Sequence, residues 1–553
     1  MKQLLILAIA FTVSMTVCAQ TVKRLENQKD AWGLIYTFTG EVKNGKPDGM
    51  GIAKYTSGNV LRYAGNFLNG MYNGKGTMLF TDGAFLTGNW ANGKLSGKGA
   101  NLTSGGTLYI GDFVNGEKNG NGILMYKDNS FTKGSFKNDK FNGRCISLWT
   151  DGNIISDVIY ADDKRNGTGY QYEAKTKAIY EGEWKDDKWM QAATASFTSF
   201  LKAPAFIGEI TDGHVLIGPV NSRNFLIDTS YYYDLAKHKR YFGYYVNGNL
   251  RNGIIMRDDS TRFMGALDEK GATGYCYDFK FNKYYTEGNY ANDYLNGDIL
   301  DIDLAKKTIY YGGAIQGEFT GKAYFFNDKG TMYSGDYVKG RLNGQGYRLE
   351  SSGHLTVGTW VDGLTTNVTS ITTAKGDIIP GKPKTFLESL NIVIRDYAEY
   401  FDNLIGTASN DLSFDDWLAV PADKDAYYDY YNSLIPFFGG TRPDVIADDL
   451  DATNLYIVTL FQGADEAKAK AKYNETIKQL TAATISNRVL DKPTKLKGSI
   501  VTPDMSKSVN ATKFELDTNA AIYSPFHVWV KLRKEIKGGY AVSLELGEQN
   551  DTE

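Results

Sequence analysis

From residue 36 onward, large apolar side chains recur once every 23 to 25 residues, each two places after a glycine-type position. The anchors are Gly40, Gly65, Gly88, Gly111, Gly134, Val158 and Gly182, then Gly243, Gly265, Gly288, Gly313, Gly335 and Gly358, with Gly208 as a further unit. The apolar positions that follow them are Val42, Phe67, Trp90, Phe113, Phe136, Tyr160, Trp184, Tyr245, Leu267, Tyr290, Ile315, Tyr337 and Trp360. They form a ladder with one rung per unit. Five places after the anchor stands a residue that tolerates positive φ, such as Gly45, Gly70, Gly93, Gly116, Asp139, Asp163 or Gly248. Each unit therefore predicts strand, tight turn, strand. A lone hairpin is marginal, and stacking in series buries the ladder.

Eleven places after the anchor the residue is small: Gly51, Gly76, Gly99, Gly122, Cys145, Gly169, Ala193, Cys276 or Gly346. Small residues alone at a fixed place predict a crowded site where a ring or backbone leaves no room for a side chain. Ile299 and Tyr324 depart from this rule, so the later units are expected to be looser. Cys145 and Cys276 hold equivalent places in distant units. In one continuous sheet they would lie roughly 50 Å apart, so they are read as buried fillers and not as a disulfide.

"YAGNFLNGMYNGKGTMLFTDG" (Tyr63 to Gly83) and "YSGDYVKGRLNGQGYRLESSG" (Tyr333 to Gly353) resemble the MORN repeat, Y-x-G-x-[FWY]-x-x-G-x-x-x-G-x-G. The likeness covers about residues 36–363 and rests on Gly65, Gly70, Gly74, Gly76, Gly88, Gly111, Gly335, Gly344 and Gly346. It implies tandem β-hairpins in an elongated, single twisted sheet. It also implies a binding role, often scaffolding or dimerisation, with lipid binding in some members, and it does not imply an enzyme. The expected class is thus mainly β, a stacked hairpin array over residues 20–363 (less regular at about 190–290), followed by a small α+β domain.

The glycine rhythm stops at Gly363. Residues 364–384 read as a polar connector. In 385–553, Leu387, Leu390, Ile394, Tyr397, Phe401 and Leu404 recur at three and four, an amphipathic helix with Thr385 and Glu388 as a capping box. A second helix is expected around "KDAYYDYYNSL", a strand at "NLYIVTLFQG" and a helix at "ADEAKAKAKYNETIKQLTAAT". "FHVWVKLRKEI" and "YAVSLELG" alternate as strands joined at Gly538-Gly539, with Val528, Val530 and Leu532 inward and His527, Trp529, Lys531 and Arg533 outward.

Composition narrows the partners. The 553-residue chain carries a net charge of -3, so nothing favours nucleic acid. Sixty glycines with 38 tyrosines and only 11 prolines fit tight turns between aromatic strands rather than disorder. "MKQLLILAIAFTVSMTVCAQ" reads as an export signal over residues 1–19, with cleavage before Gln20 and a periplasmic or secreted destination. Lipidation at Cys18 is the weaker reading, because Val17 is a poor residue before a lipidated cysteine.

Candidate chemistry is sparse. "GNWANGKL" and "GEVKNGKP" miss the Ser/Thr of a P-loop. The four histidines have no ligand spacing, and His527 reads as a surface residue. Asp444, Asp448, Asp449 and Asp451 read as a solvated loop or helix cap, with a calcium site as the sharper alternative. Lys492, Lys495 and Lys497 read as a solvated face. Tyr427, Tyr428, Tyr430, Tyr431, Phe437 and Phe438 are either an exposed interaction patch or packing between helix and sheet. No catalytic, metal or cofactor residues are expected. A protein partner is expected, with membrane lipid as the alternative, an unrecognised C-terminal activity as a third reading, and a homo-oligomer left open.

Overall fold

The computed structural model describes residues 21–548 apart from 151–153, 174, 177, 191–204, 211–213, 221, 224–227, 399–400, 402, 409–427, 441–444, 450–453, 488–489, 491 and 536–537. The segment read as an export signal and Cys18 lie outside the described residues, as does Ala193. The chain forms two compact units. One runs to Gly317 and includes Phe325–Met332; the other holds Glu318–Tyr324 and Tyr333–Glu553.

The hairpins follow one another in strict chain order, each strand antiparallel to the next. Their turns explain the spacing. At Asn69-Gly70, Asn92-Gly93, Asn115-Gly116, Asp162-Asp163 and Asn292-Asp293 both central residues have φ between 48° and 91°. Those are two-residue type I′ turns, whose twist matches that of the flanking strands. Each turn is also tied to the hairpin before it: Gly93 N–H donates to the Tyr72 carbonyl at 3.0 Å and Asp163 N–H to that of Phe141 at 3.0 Å. Where the second turn residue is aspartate, its carboxylate adds a bond back, as from Phe141 N–H to Asp163 Oδ1 at 2.7 Å.

This predicts an order of substitutions. Asp163→Gly keeps the left-handed conformation and loses only the carboxylate's bond, a cost of about 1 kcal/mol. Asp163→Ala loses the bond and also places an alanine at φ 70°, adding about 1–2 kcal/mol. Denaturant melts of the two variants should rank alanine as the more damaging, and the reverse order would contradict the turn assignment.

The mainly β class, with stacked hairpins and an α+β part after them, is what the chain forms. The strands do not make one uninterrupted sheet, however. Fifteen, from Thr21–Lys29 to Lys188–Trp189, form one sheet, and sixteen, from Ala205–Ile210 to Ile378–Pro380, form another. Within the first unit these sheets lie face to face. Phe85 packs on Tyr285 at 5.1 Å between ring centroids and Phe131 on Phe242 at 4.6 Å. Thr77 Oγ1 and the Tyr311 hydroxyl share a hydrogen bond of 2.6 Å. In a single linear stack, strands Met71–Phe80 and Thr308–Ile315 would stand about 100 Å apart. The physical reason for the pairing lies on the face opposite the ladder. Ala64, Leu79, Phe85, Leu102, Leu108 and Ile110 are apolar and need cover, which the ladder of their own sheet cannot give.

Another correction concerns the unit anchored at Gly313. Its turn is Gln316-Gly317, so the anchor is Gly312 and the rung is Ala314, which is 1% exposed, whereas Ile315 is 60% exposed. Residues 364–384, read as a connector, hold strands Leu364–Thr372 and Ile378–Pro380. Val368 and Ile371 lie buried within the first of them, and β-branched side chains favour that state.

In the second unit, helix α1 (Phe386–Tyr397) starts at Thr385, whose side chain accepts from Glu388 N–H. Helix α2 is Glu466–Ala482. Both pack into one core with Tyr456, Val458, Val530 and Leu544 of a nine-stranded sheet. Strands Asn454–Gly463, His527–Lys534 and Tyr540–Gly547 fall where alternation placed them. The expected helix at "KDAYYDYYNSL" is instead strand Tyr428–Ser433, paired with Val445–Asp449; run-on tyrosines favour strand over helix. The outward face of His527–Lys534 is not solvated. Lys531 is 8% exposed and meets Glu545, which is fully buried, at 2.7 Å. Arg533 reaches the same carboxylate at 2.9 Å and Ser543 donates to it at 2.8 Å. His527, read as a surface residue, has a side chain only 15% exposed, 3.3 Å from Glu515.

Candidate functional site: the two faces of the hairpins and the cleft between the sheets

Side chains alternate across a strand, so each hairpin has a ladder face and a far face. On the ladder face Val42, Phe67, Trp90, Phe113 and Phe136 form one core with Tyr36, Tyr63, Tyr72 and Tyr109. Tyr63 and Tyr109 each bridge their own rung and the next. Tyr63 meets Phe67 at 5.2 Å and Trp90 at 5.4 Å, both edge to face, and Tyr109 meets Phe113 and Phe136 at 5.1 and 5.0 Å. Trp184 is buried under the Arg165 guanidinium, 4.1 Å away, and Tyr290 is half-buried. In the second unit Tyr337 and Trp360 are buried.

The rings lie over a row of small residues that crosses the strands. Gly65 pairs with Gly76, Gly76 with Gly88, Gly88 with Gly99, and Gly99 with Gly111. A Cβ at Gly76 would sit 2.0 Å from the Tyr63 hydroxyl and 2.4 Å from its Cζ. Cys145 continues the row opposite Gly134, and a Cβ on Gly265 would press on Cys276 Sγ. Both thiols are free and buried. Gly70 is a turn residue, Gly74 stands beside Asn66, and in the second unit Gly344 stands beside Asp336 and a Cβ on Gly335 would meet the Gly346 Cα.

The far face carries the positions one before, one after and ten after each anchor. Between the two sheets of the first unit these positions open into a cleft of about 460 Å³. One wall presents Lys75, Asn89 and Lys98, and the other Tyr275, Asn289 and Asp298. Thr87, Tyr277, Glu287 and Tyr311 form the floor. The floor is fixed: Thr77 Oγ1 bonds Thr87 Oγ1 at 2.7 Å as well as Tyr311, and Tyr285 donates to Glu287 Oε2 at 2.7 Å. Burial pushes the Glu287 carboxyl up, against the hydroxyls of Tyr285 and Tyr275 and the charge of Lys75. Sequence reasoning missed this site because it followed the ladder face. A signal was present: "GNWAN" at Gly88 and "GNYAN" at Gly288 repeat nearly letter for letter, 200 residues apart.

The hairpin tips display apolar side chains. Leu68, Met71, Val114, Val246 and Tyr294 in the first unit, and Val338, Val361 and Leu364 in the second, are exposed beside their turns. Tyr427 lies outside the described residues, Tyr428, Tyr430 and Tyr431 are on a strand, Phe437 is buried and Phe438 exposed. Asp448 and Asp449 are on strand Val445–Asp449, while Asp444 and Asp451 lie outside the described residues. Lys497 pairs with Asp517 at 2.8 Å and Lys495 donates to the Ala482 carbonyl at 3.0 Å. Among the described residues, no three His, Cys, Asp or Glu side chains meet as a metal site would require. No helix among them is long and apolar enough to cross a membrane.

The sequence model of the MORN repeat matches at residues 38–60, 63–85, 87–99, 109–131, 133–154, 180–190 and 333–349. No curated protein matches the chain. The matched segments coincide with hairpins that carry the rung and the type I′ turn and, apart from 180–190, the small-residue row, and such repeats are generally protein- or membrane-interaction motifs without catalysis. The chain is a MORN-repeat protein.

Proposed function

We propose that this is an exported, non-enzymatic scaffold that binds a protein partner through its repeat array, with the C-terminal domain as a second contact. The observation that carries this reading is the recurrence of an exposed apolar residue at the hairpin tips, such as Leu68, Val114 and Val246. Single exposed apolar residues are ordinary, but Leu68, Val114, Val246, Val338 and Val361 hold the same place in their separate repeats, which makes a patterned feature. The turns beside Leu68, Val114 and Val246 are neutral Asn-Gly pairs, and other tips carry both signs, as in Lys137–Lys140 and Asp186-Asp187. That mixture suits a protein better than an anionic bilayer, which would want a basic stripe. Export rests on Lys2, the apolar run Leu4–Val13 and the small residues before Gln20.

A photo-crosslinking residue at position 68, 114 or 246 in living cells tests this. The account expects one and the same protein from all three positions, none from the buried position 67, and loss of capture with Leu68→Asp plus Val114→Asp. Recovery of phospholipid in its place would favour the membrane reading, and no adduct at any tip would contradict both.

A further inference from the structure

We propose that the cleft between the two sheets of the first unit binds a polyhydroxylated ring, a sugar of one or two units. The first reason is the state of its asparagines. In three repeats of the first unit the position after the anchor ties its own hairpin: Glu41 accepts from Met50 N–H at 2.9 Å, Asp112 from Asn121 N–H at 3.0 Å, and Asn66 lies 3.4 Å from the Lys75 carbonyl. Asn89 and Asn289 hold that same position, yet among the described residues neither side chain makes a hydrogen bond. They stand on opposite walls of one cavity. Each offers one acceptor and two donors, the complement of vicinal hydroxyls.

The second reason is the balance of the remaining lining. Tyr275, half-exposed, lies 5.5 Å from Tyr277 at an angle of 74°, so both rings supply apolar faces for C–H groups. Lys75 and Asp298 add one group of each sign. Lys98 is already engaged by Asp112 at 2.6 Å. A phosphate or dicarboxylate site would concentrate cations, and an apolar ligand would not want this many polar groups. The volume of about 460 Å³ lies within the range of small-molecule sites, about 300–1,000 Å³. The fixed floor of Thr77, Thr87 and Tyr311 means that little ordering is needed on binding.

The test is ligand-observed NMR on the full chain. The probes are free glucose, galactose, mannose, N-acetylglucosamine and their disaccharides, the same sugars as immobilised oligosaccharide chains, and inorganic phosphate and succinate for comparison. The account expects at least one sugar to bind and the exposed-site variant N89A/N289A to weaken it at least tenfold, with N66A binding as the parent does. Y275A should weaken binding independently, which guards against a folding defect in the asparagine variant. Binding of free sugars would mark a soluble ligand, and binding of the chains alone would mark the end of a glycan. No binding in either form, tighter binding of phosphate or succinate, or equal sugar binding by N89A/N289A would overturn the proposal. Crosslinking at the hairpin tips reports on a separate surface, so its failure would leave this result standing.

Discussion

Replacing Gly76 by valine should unfold the heart of the first unit's ladder. The added Cβ would meet Tyr63 at 2.0 Å, and Tyr63 is fully buried between Phe67, Tyr72 and Trp90. It has nowhere to go. The Gly76 carbonyl also accepts from Trp90 Nε1 at 2.9 Å, so any shift of the strand loosens the next rung. Overpacking a core costs about 1–3 kcal/mol, and a site blocked by a fully buried ring belongs at the upper end. Gly105→Ala is the control, since that position has only Thr103 Oγ1 nearby at 3.8 Å. Hydrogen exchange should show protection lost from Tyr63 to Gly99 and, because Thr77 is bonded to Tyr311, in strand Thr308–Ile315 as well. Loss confined to the first of these would show that the sheets do not support each other.

Glu545→Ala should be the most damaging single change in the second unit. The carboxylate is fully buried, and it answers Lys531, Arg533 and Ser543 together. Its removal leaves two cations in a dry place, which costs about 3–5 kcal/mol. Burial pushes this carboxyl up, but the combined charges of Arg533 and Lys531 outweigh it and hold the group below its ordinary 4.5. A depressed carboxyl contributes stability above the unfolded value and loses it as pH falls through the folded one. Acid should therefore destabilise strands His527–Lys534 and Tyr540–Gly547 only below about pH 4.5, and the alanine variant should lack that dependence. Exchange rates in these strands, followed from pH 7 to 3, check both statements. A variant within about 1 kcal/mol of the parent would show that the pair merely balances its own desolvation.

The ladder and the turns were legible because repetition averages out local noise. No single glycine is informative, but Gly or Asp five places after each anchor in unit after unit can only be a turn. Legibility failed where the unit is ambiguous. "YYGGAIQGE" offers two adjacent glycines, and only the turn at Gln316-Gly317 decides between Ala314 and Ile315. The pairing of the two sheets was hidden for a different reason. A repeat encodes its neighbours but not a partner more than two hundred residues away, and the far face mixes Lys75 and Thr77 with Leu79 in one strand. In the C-terminal domain, alternation located the strands but misjudged exposure. His527, Lys531 and Arg533 look like a solvated face until Glu545 is found beneath them. The helix expected around "KDAYYDYYNSL" is overridden where Tyr428, Tyr430 and Tyr431 pair with strand Val445–Asp449.

The central claim is that the repeats form two sheets laid face to face, since the cleft exists only between them. A double-mutant cycle on Thr77→Val and Tyr311→Phe tests it most directly, because each change removes one end of the 2.6 Å hydrogen bond that joins the sheets. The account predicts a coupling of about 0.5–1.5 kcal/mol between positions 234 residues apart in the chain. Effects that add to within about 0.3 kcal/mol would place the two side chains out of contact and contradict the paired sheets.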